Sequence, residues 1–277
     1  MHSNRDPMLP VLIGGVLLFS ATMAGTAFAA IPTDESLATL PPSTRRSIVV
    51  KDYFPRPAPG VIRINELSRN GQLVQIERYR NAGGGLYYLE DYYVTPDRKL
   101  VWLDTWTYTV DASGYVMEIM DSLVDYDNPA SWANACKSLA DRCTFTDQRN
   151  DPLNHGNVLS VPANLATGWF YSQASGTATP LTIPATSQPS STFYNNYAIR
   201  LTDVKSRVVL PGGTFFNVSM QDEQQTDGVK ATNYRFYFAP GVGIIAQQFY
   251  NERWEKTVAL LYLSKTCTVT SNLYFCP

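Results

Sequence analysis

Two carboxylates, Glu90 and Asp104, sit in runs that also hold Tyr88, Tyr92, Trp102, Trp106 and Tyr108. The runs, Leu86–Val94 and Leu100–Val110, are joined by Thr95-Pro96-Asp97-Arg98, and proline suits the second position of such a turn. If Pro96, Asp97 and Arg98 form the loop of a hairpin, Leu86 faces Tyr108, Tyr88 faces Trp106, Glu90 faces Asp104 and Tyr92 faces Trp102. Opposed Cβ atoms lie about 5 Å apart, and two carboxylates that close resist double ionisation, so one becomes an acid beside a base. A carboxyl separation of about 5–5.5 Å is the geometry of retaining glycoside hydrolysis. Without catalysis, the same face suits sugar binding, because rings stack on apolar sugar faces and carboxylates accept hydroxyl hydrogen bonds. The competing account is an aromatic core edge with both acids at its rim. The register decides between them, since a slip of one residue sends every side chain to the other face.

Other constellations carry less. His155 lies in Asp151-Pro152-Leu153-Asn154-His155-Gly156, but no Gly-x-Ser-x-Gly elbow accompanies it, so it reads as an exposed loop histidine. Asp125, Asp127 and Asn128 match part of a calcium loop that lacks its glycine and distal glutamate, and Asp222, Glu223 and Asp227 read as a solvated turn. The cysteines form two close pairs, Cys136 with Cys143 and Cys267 with Cys276. Neither has the spacing of a zinc knuckle, so the pairs are expected to be disulfides, and no metal or cofactor is expected. In a continuous helix Cys136 and Cys143 would stand about 10.5 Å apart, too far to bridge, so a helix there must end near Ala140. If Ser271 and Asn272 form a two-residue turn, Cys267 faces Cys276 directly. A net charge of -2, with no basic run beyond Arg45-Arg46, excludes nucleic acid as a partner.

The elements that must position these residues are mostly strands. Residues 233–265 read as three strands separated by Ala239-Pro240-Gly241-Val242-Gly243 and Asn251-Glu252-Arg253. Tyr234, Phe236 and Phe238 alternate with Arg235 and Tyr237, and Trp254, Val258, Leu260 and Tyr262 alternate with Glu255 and Thr257, the period of a half-buried antiparallel sheet. Asn70-Gly71 marks a tight hairpin. The N-terminus carries Arg5, an apolar run and Ala27-Phe28-Ala29, so residues 1–29 read as a secretory signal peptide. Residues 30–47 lack periodicity and read as a flexible lead-in, and 48–277 as one β domain with a helical and loop insertion at about 127–190. Asp127-Asn128-Pro129 supplies an N-cap and a first-turn proline for a helix over 129–140. The expected fold is all-β, a strongly curved antiparallel meander of about ten strands, half-barrel or barrel-like, with one short inserted helix. An outer-membrane barrel is the architectural rival, which the ending Tyr274-Phe275-Cys276-Pro277 does not suit.

Tyr237-Phe238-Ala239-Pro240-Gly241-Val242-Gly243, together with Tyr53-Phe54-Pro55 and Pro59-Gly60, resembles a pattern recurring in uncharacterised bacterial secreted and periplasmic β proteins. The resemblance implies a curved half-barrel sheet, and some such proteins bind lipid or lipoprotein. The leading expectation is a periplasmic or secreted, non-catalytic protein that binds an apolar or amphipathic ligand in its concave side. A polysaccharide-binding or glycoside-hydrolysing protein using Glu90 and Asp104 is the alternative, and a structural or assembly protein of the envelope the third. The expected partner is a lipid, a lipoprotein, a glycan or an envelope protein, and after signal cleavage the chain is not expected to be integral to the membrane.

Overall fold

Asn70 and Gly71 both take positive φ, 52° and 80°, and turn β2 (Ile62–Arg69) directly back on β3 (Gln72–Gly83). That is the backbone a two-residue hairpin demands, and Asn-Gly supplies it with the least strain. The computed structural model describes residues 31–277 except 115, 123–144, 148–158, 169, 175–179, 182–195 and 227–230. The meander continues through β4 (Leu86–Val94), β5 (Leu100–Val110) and β6 (Val116–Ser122). Later come β12 (Asn196–Leu210), β13 (Gly213–Thr226), β14 (Ala231–Ala239), β15 (Gly243–Tyr250) and β16 (Leu261–Val269). β16 pairs with β2, which joins the two meanders into one antiparallel sheet. Its order runs β12-β13-β14-β15-β16-β2-β3-β4-β5-β6. The short strands β7 (Phe145–Asp147) and β11 (Pro180–Leu181) extend one end, β10 (Phe170–Ala174) extends the other, and β8 (Leu159–Val161) pairs with β6. A separate ladder joins β1 (Ser47–Val49) to β9 (Asn164–Ala166). The fold is all-β, and among the described strands no ladder closes β10 onto β11.

The sheet is nonetheless strongly curved. Six strands lie between β12 and β4 in the sheet order, yet Ile199 and Leu201 of β12 pack in one cluster with Leu89 of β4 and Tyr108 of β5. Only curvature can bring strands that far apart along a sheet into contact, since neighbours are spaced about 4.7–4.9 Å. Bulges supply it. The ladders shift register at Leu201/Asp203, Tyr237/Phe238, Leu263/Lys265, Leu67/Ser68 and Asp91/Tyr92, and each bulge bends its strand.

Three sequence expectations change. Residues 31–47 are not a loose lead-in. Thr33 caps α1 (Asp34–Ala38) with a reciprocal Thr33–Ser36 capping box, and Leu37 is buried against Leu210, Met220 and Tyr237. The helix buries what the strands' outer face would expose, and its Asp34 accepts hydrogen bonds from Tyr237 Oη (2.7 Å) and Tyr250 Oη (2.5 Å). Second, the strand expected through Trp254 and Val258 is absent. Asn251 Oδ1 accepts from the N–H groups of Arg253 and Glu255, both at 2.9 Å, so the side chain competes with the ladder and β16 starts only at Leu261. Third, the strands number more than ten, because short pieces at both ends of the sheet add to the long ones. The expected helix at 129–140 and the Cys136–Cys143 pair lie outside the described residues, as does the segment read as a signal peptide. Among the described residues no helix is long and apolar enough to cross a membrane.

Cys267 and Cys276 are bonded, with Cα atoms 5.7 Å apart, but not across a hairpin. Cys267 lies in β16, and the chain after Val269 leaves the ladder to cross the face of β3 and β4. Leu273 O accepts from Arg78 Nε at 3.1 Å, Tyr274 stands edge-on to Tyr92 at 5.1 Å, and Cys276 N–H donates to Glu66 Oε1 at 2.8 Å. A strand would have satisfied only the tail's backbone, whereas the crossing also covers a buried arginine. Replacing both cysteines with serine is expected to cost about 2–3 kcal/mol, the loop-closure contribution of a short ring. The midpoint of urea unfolding measures it, and an unchanged midpoint would mean that the tail's other contacts suffice.

Candidate binding site on the concave face

Residues 53–57 form a strap across the inside of the curve. Proline at 55 and 57 stiffens it, and its ends and centre are tied to separate elements. Asp52 O accepts from Gly241 N–H at 2.7 Å, Tyr53 Oη donates to Asn217 O at 2.6 Å, and Pro57 O accepts from Asn81 Nδ2 at 3.2 Å. Pro55 O accepts from the Tyr108 hydroxyl. Burial pushes the Tyr53 phenol up to about 12 and Tyr108 higher still, so both stay protonated donors.

Beside the strap lies a cavity of about 290 Å³, near the lower end of the roughly 300–1,000 Å³ usual for ligand pockets. Its wall is largely aromatic and aliphatic: Phe54, Leu89, Trp106, Tyr108, Phe236 and Phe238, with Ile244 and Phe249. The rings form one continuous run of contacts, Tyr234 to Phe236 (5.6 Å), Phe236 to Phe238 (5.6 Å), Phe238 to Phe54 (5.9 Å) and Phe54 to Tyr108 (5.7 Å). The alternation in β14 explains why. Tyr234, Phe236 and Phe238 face the cavity, while Arg235 and Tyr237 turn outward to Asp34. Polar groups are few: Gln75, Asp91, Glu223 and Gln247. Tyr79, also in the wall, donates to the buried Glu77 at 2.8 Å; its own burial, with that carboxylate beside it, pushes its pKa far up.

The pairing of β4 with β5 begins as the sequence suggests, with Tyr92 opposite Trp102. A bulge at Leu103 then shifts the ladder by one residue. Glu90 falls opposite Thr105, Asp104 opposite Asp91, Tyr88 opposite Thr107, and Trp106 opposite Leu89. The expected Glu90–Asp104 opposition does not form. The aromatic set is divided. Trp106 and Tyr108 line the cavity, whereas Tyr92 is buried on the other face with Ile76 and Cys276, and Tyr88 lies against Arg80, whose guanidinium carbon is 4.7 Å from its ring centre. For Trp102 and Asp104 the backbone position is all that is described.

Glu90 has a different role. It is fully buried, accepting from Arg78 Nη1 at 2.9 Å and Arg80 Nε at 2.7 Å. Arg80 Nη2 is 2.6 Å from Oε1 but lacks hydrogen-bond geometry to it. Arg78 is fully buried too, and beyond Glu90 it meets Leu273 O, Asn272 Oδ1 and the face of Tyr274, whose ring centre is 4.2 Å from the guanidinium carbon. This is a structural ion pair roofed by the C-terminal tail. A carboxylate so enclosed reaches no substrate.

Sequence reasoning missed two site groups. Glu223 is not in a solvated turn: β13 continues to Thr226, and Glu223, opposite Tyr234, is buried at the cavity wall. Its position opposite an aromatic in the next strand was the available signal, hidden by the polar stretch that follows. Phe54 looked like part of a proline turn, yet it is the ring that links the two halves of the wall.

No family model matches the sequence, and no curated protein sequence matches it. Among solved structures, the chain is similar to one named as an exported protein with a YmcC-like fold, from Bacteroides fragilis. That match has 11% identity and a TM-score of 0.34, covering 77% of this chain and 98% of that one. It is also similar to one named as a lipoprotein, from Parabacteroides distasonis, with 11% identity and a TM-score of 0.33, over 78% of this chain and 98% of that one. Similarity this low bears on neither ligand nor activity.

Proposed function

We propose that this is an exported, non-catalytic protein that holds an apolar or amphipathic molecule in the cavity beside the strap. The observation that carries the reading is the wall itself: a continuous aromatic lining, interrupted by few polar groups, in a space large enough for a hydrocarbon chain. Such a wall gains by removing apolar ligand surface from water, at about 25 cal/mol per Å². A second observation suits a ligand with some polarity. Trp106 Nε1 is buried without a hydrogen-bond partner among the described residues, a state that native interiors rarely leave unanswered. Export is supported by the signal-like sequence before Ala30 and by the Cys267–Cys276 bond, which belongs in an oxidising compartment. Trp106 and Tyr108 are the expected ligand contacts from the original aromatic set, joined by Phe54, Phe236 and Phe238.

Native mass spectrometry of the protein, purified without detergent from the envelope of its own host, tests this. An added mass, extractable into organic solvent, is expected. Ile244→Trp places an indole in the cavity and is expected to weaken binding about tenfold or more, which needs a loss of only about 1.4 kcal/mol. Its stability cost should stay within about 1–3 kcal/mol. A protein that is always empty, and that binds no long-chain probe when offered one, would sink the reading in favour of an assembly role.

A further inference from the structure

The strap has a second side. Phe54 and Pro55, which wall the aromatic cavity, also wall a neighbouring pocket of about 310 Å³ lined by Asp52, Arg56, Arg63, Gly241 and Thr268. Arg63 projects from β2 between its cross-strand partners Tyr79 and Thr268. It is half-buried, and among the described residues no carboxylate pairs with it; its Nη1 makes a long hydrogen bond to Thr266 Oγ1 at 3.5 Å. Thr266 Oγ1 donates its own proton to Asn65 Oδ1 at 2.8 Å and accepts from Arg63 with a lone pair, but it brings no negative charge to offset the guanidinium. Burial presses the Arg63 pKa down, opposed only by Tyr79, which is how a guanidinium behaves when taken from water without an anion beside it. Arg78, Arg235 and Lys205, by contrast, each have a carboxylate in place. Arg56 is exposed on the strap, and its charge opposes the upward shift of Tyr108 in the cavity wall. The two arginines therefore stand at the border between the pockets, with Asp52 the one acid in the lining.

We propose that this pocket holds the anionic head, phosphate or carboxylate, of the amphiphile whose chain occupies the aromatic cavity, with Arg63 and Arg56 as its cationic partners. The proposal rests on the cavity reading above and adds the ligand's class: an anionic amphiphile that lies across the strap. Arginine suits the task, since its planar fork donates two parallel hydrogen bonds to a phosphate or carboxylate. The unpaired state of Arg63 is then the cost of keeping a site open for a ligand's charge.

Calorimetry with decyl phosphate, decanol and inorganic phosphate separates the contributions. Decyl phosphate is expected to bind at least about tenfold more tightly than decanol, the scale of a charge-assisted hydrogen bond. Arg63→Gln should remove that preference and leave decanol affinity unchanged, and Arg56→Gln, on the exposed strap where folding is not at stake, should reduce it. Equal affinity for the two decyl compounds, or a preference that survives both substitutions, overturns the headgroup site while leaving the cavity reading intact. Inorganic phosphate binding as tightly as decyl phosphate overturns the shared occupant and identifies a free anion instead. If neither decyl compound binds the wild-type protein, the cavity reading fails first.

Discussion

Glu90→Gln is expected to destabilise the protein by about 3–5 kcal/mol, the usual penalty for breaking a buried ion pair from one side. The substitution keeps the shape of the side chain, so little of that loss comes from a cavity. It comes from Arg78, fully buried 2.9 Å from the lost charge, and from Arg80, which donates to the other oxygen at 2.7 Å. Neither guanidinium can shed its proton, and Arg78 is held under Leu273 and Tyr274 where water cannot replace the carboxylate. Tail packing should loosen as well, since Arg78 organises residues 272–274. Urea unfolding of wild type and variant measures the difference. The double variant Arg78→Met with Glu90→Leu should recover much of it, because removing both charges also removes their desolvation cost. A Glu90→Gln protein as stable as wild type would contradict this structural role and reopen a functional one for the carboxylate.

Gly243→Ala is the second large effect, expected at about 2–5 kcal/mol. The residue has φ 90°, so any side chain is strained there at about 1–2 kcal/mol, and overpacking adds about 1–3 kcal/mol. An added Cβ would lie 2.6 Å from Tyr79 Oη, 2.9 Å from its Cζ and 3.1 Å from Pro55 Cγ. Tyr79 cannot retreat without giving up its hydrogen bond to the buried Glu77, so the strap must lift. Gly241→Ala is the control: φ is 67°, but nothing lies within 4 Å of the added carbon, so only about 1–2 kcal/mol is expected. Thermal melting ranks the two, and decanol binding should fall more for Gly243→Ala, because Pro55 walls the aromatic cavity whereas Gly241 lines only the neighbouring pocket. Equal losses in the two variants would show that the close approach at Tyr79 costs nothing.

The sequence by itself determined the strands and much of their turn chemistry, because those follow from local rules. Asn70-Gly71 must turn where positive φ is needed, and Tyr234, Phe236 and Phe238 must share a face whatever lies beyond them. It also determined the Cys267–Cys276 pairing, although for the wrong local geometry, since nearness along the chain limits the choices. Only the tertiary structure decided which face each side chain serves. One bulged residue, Leu103, exchanged the partners of Glu90 and Asp104 and divided the aromatic cluster, and no propensity marks such a residue, because a bulge answers the curvature of the whole sheet. The strap, the burial of Glu90 beneath the tail and the unpaired Arg63 depend in the same way on elements brought together across long sequence distances. Arg78 meets Leu273, Tyr53 meets Asn217, and Phe54 meets Phe238 only after the sheet has curved. A period of two assigns a residue to one of two faces, and the fold decides what each face then meets.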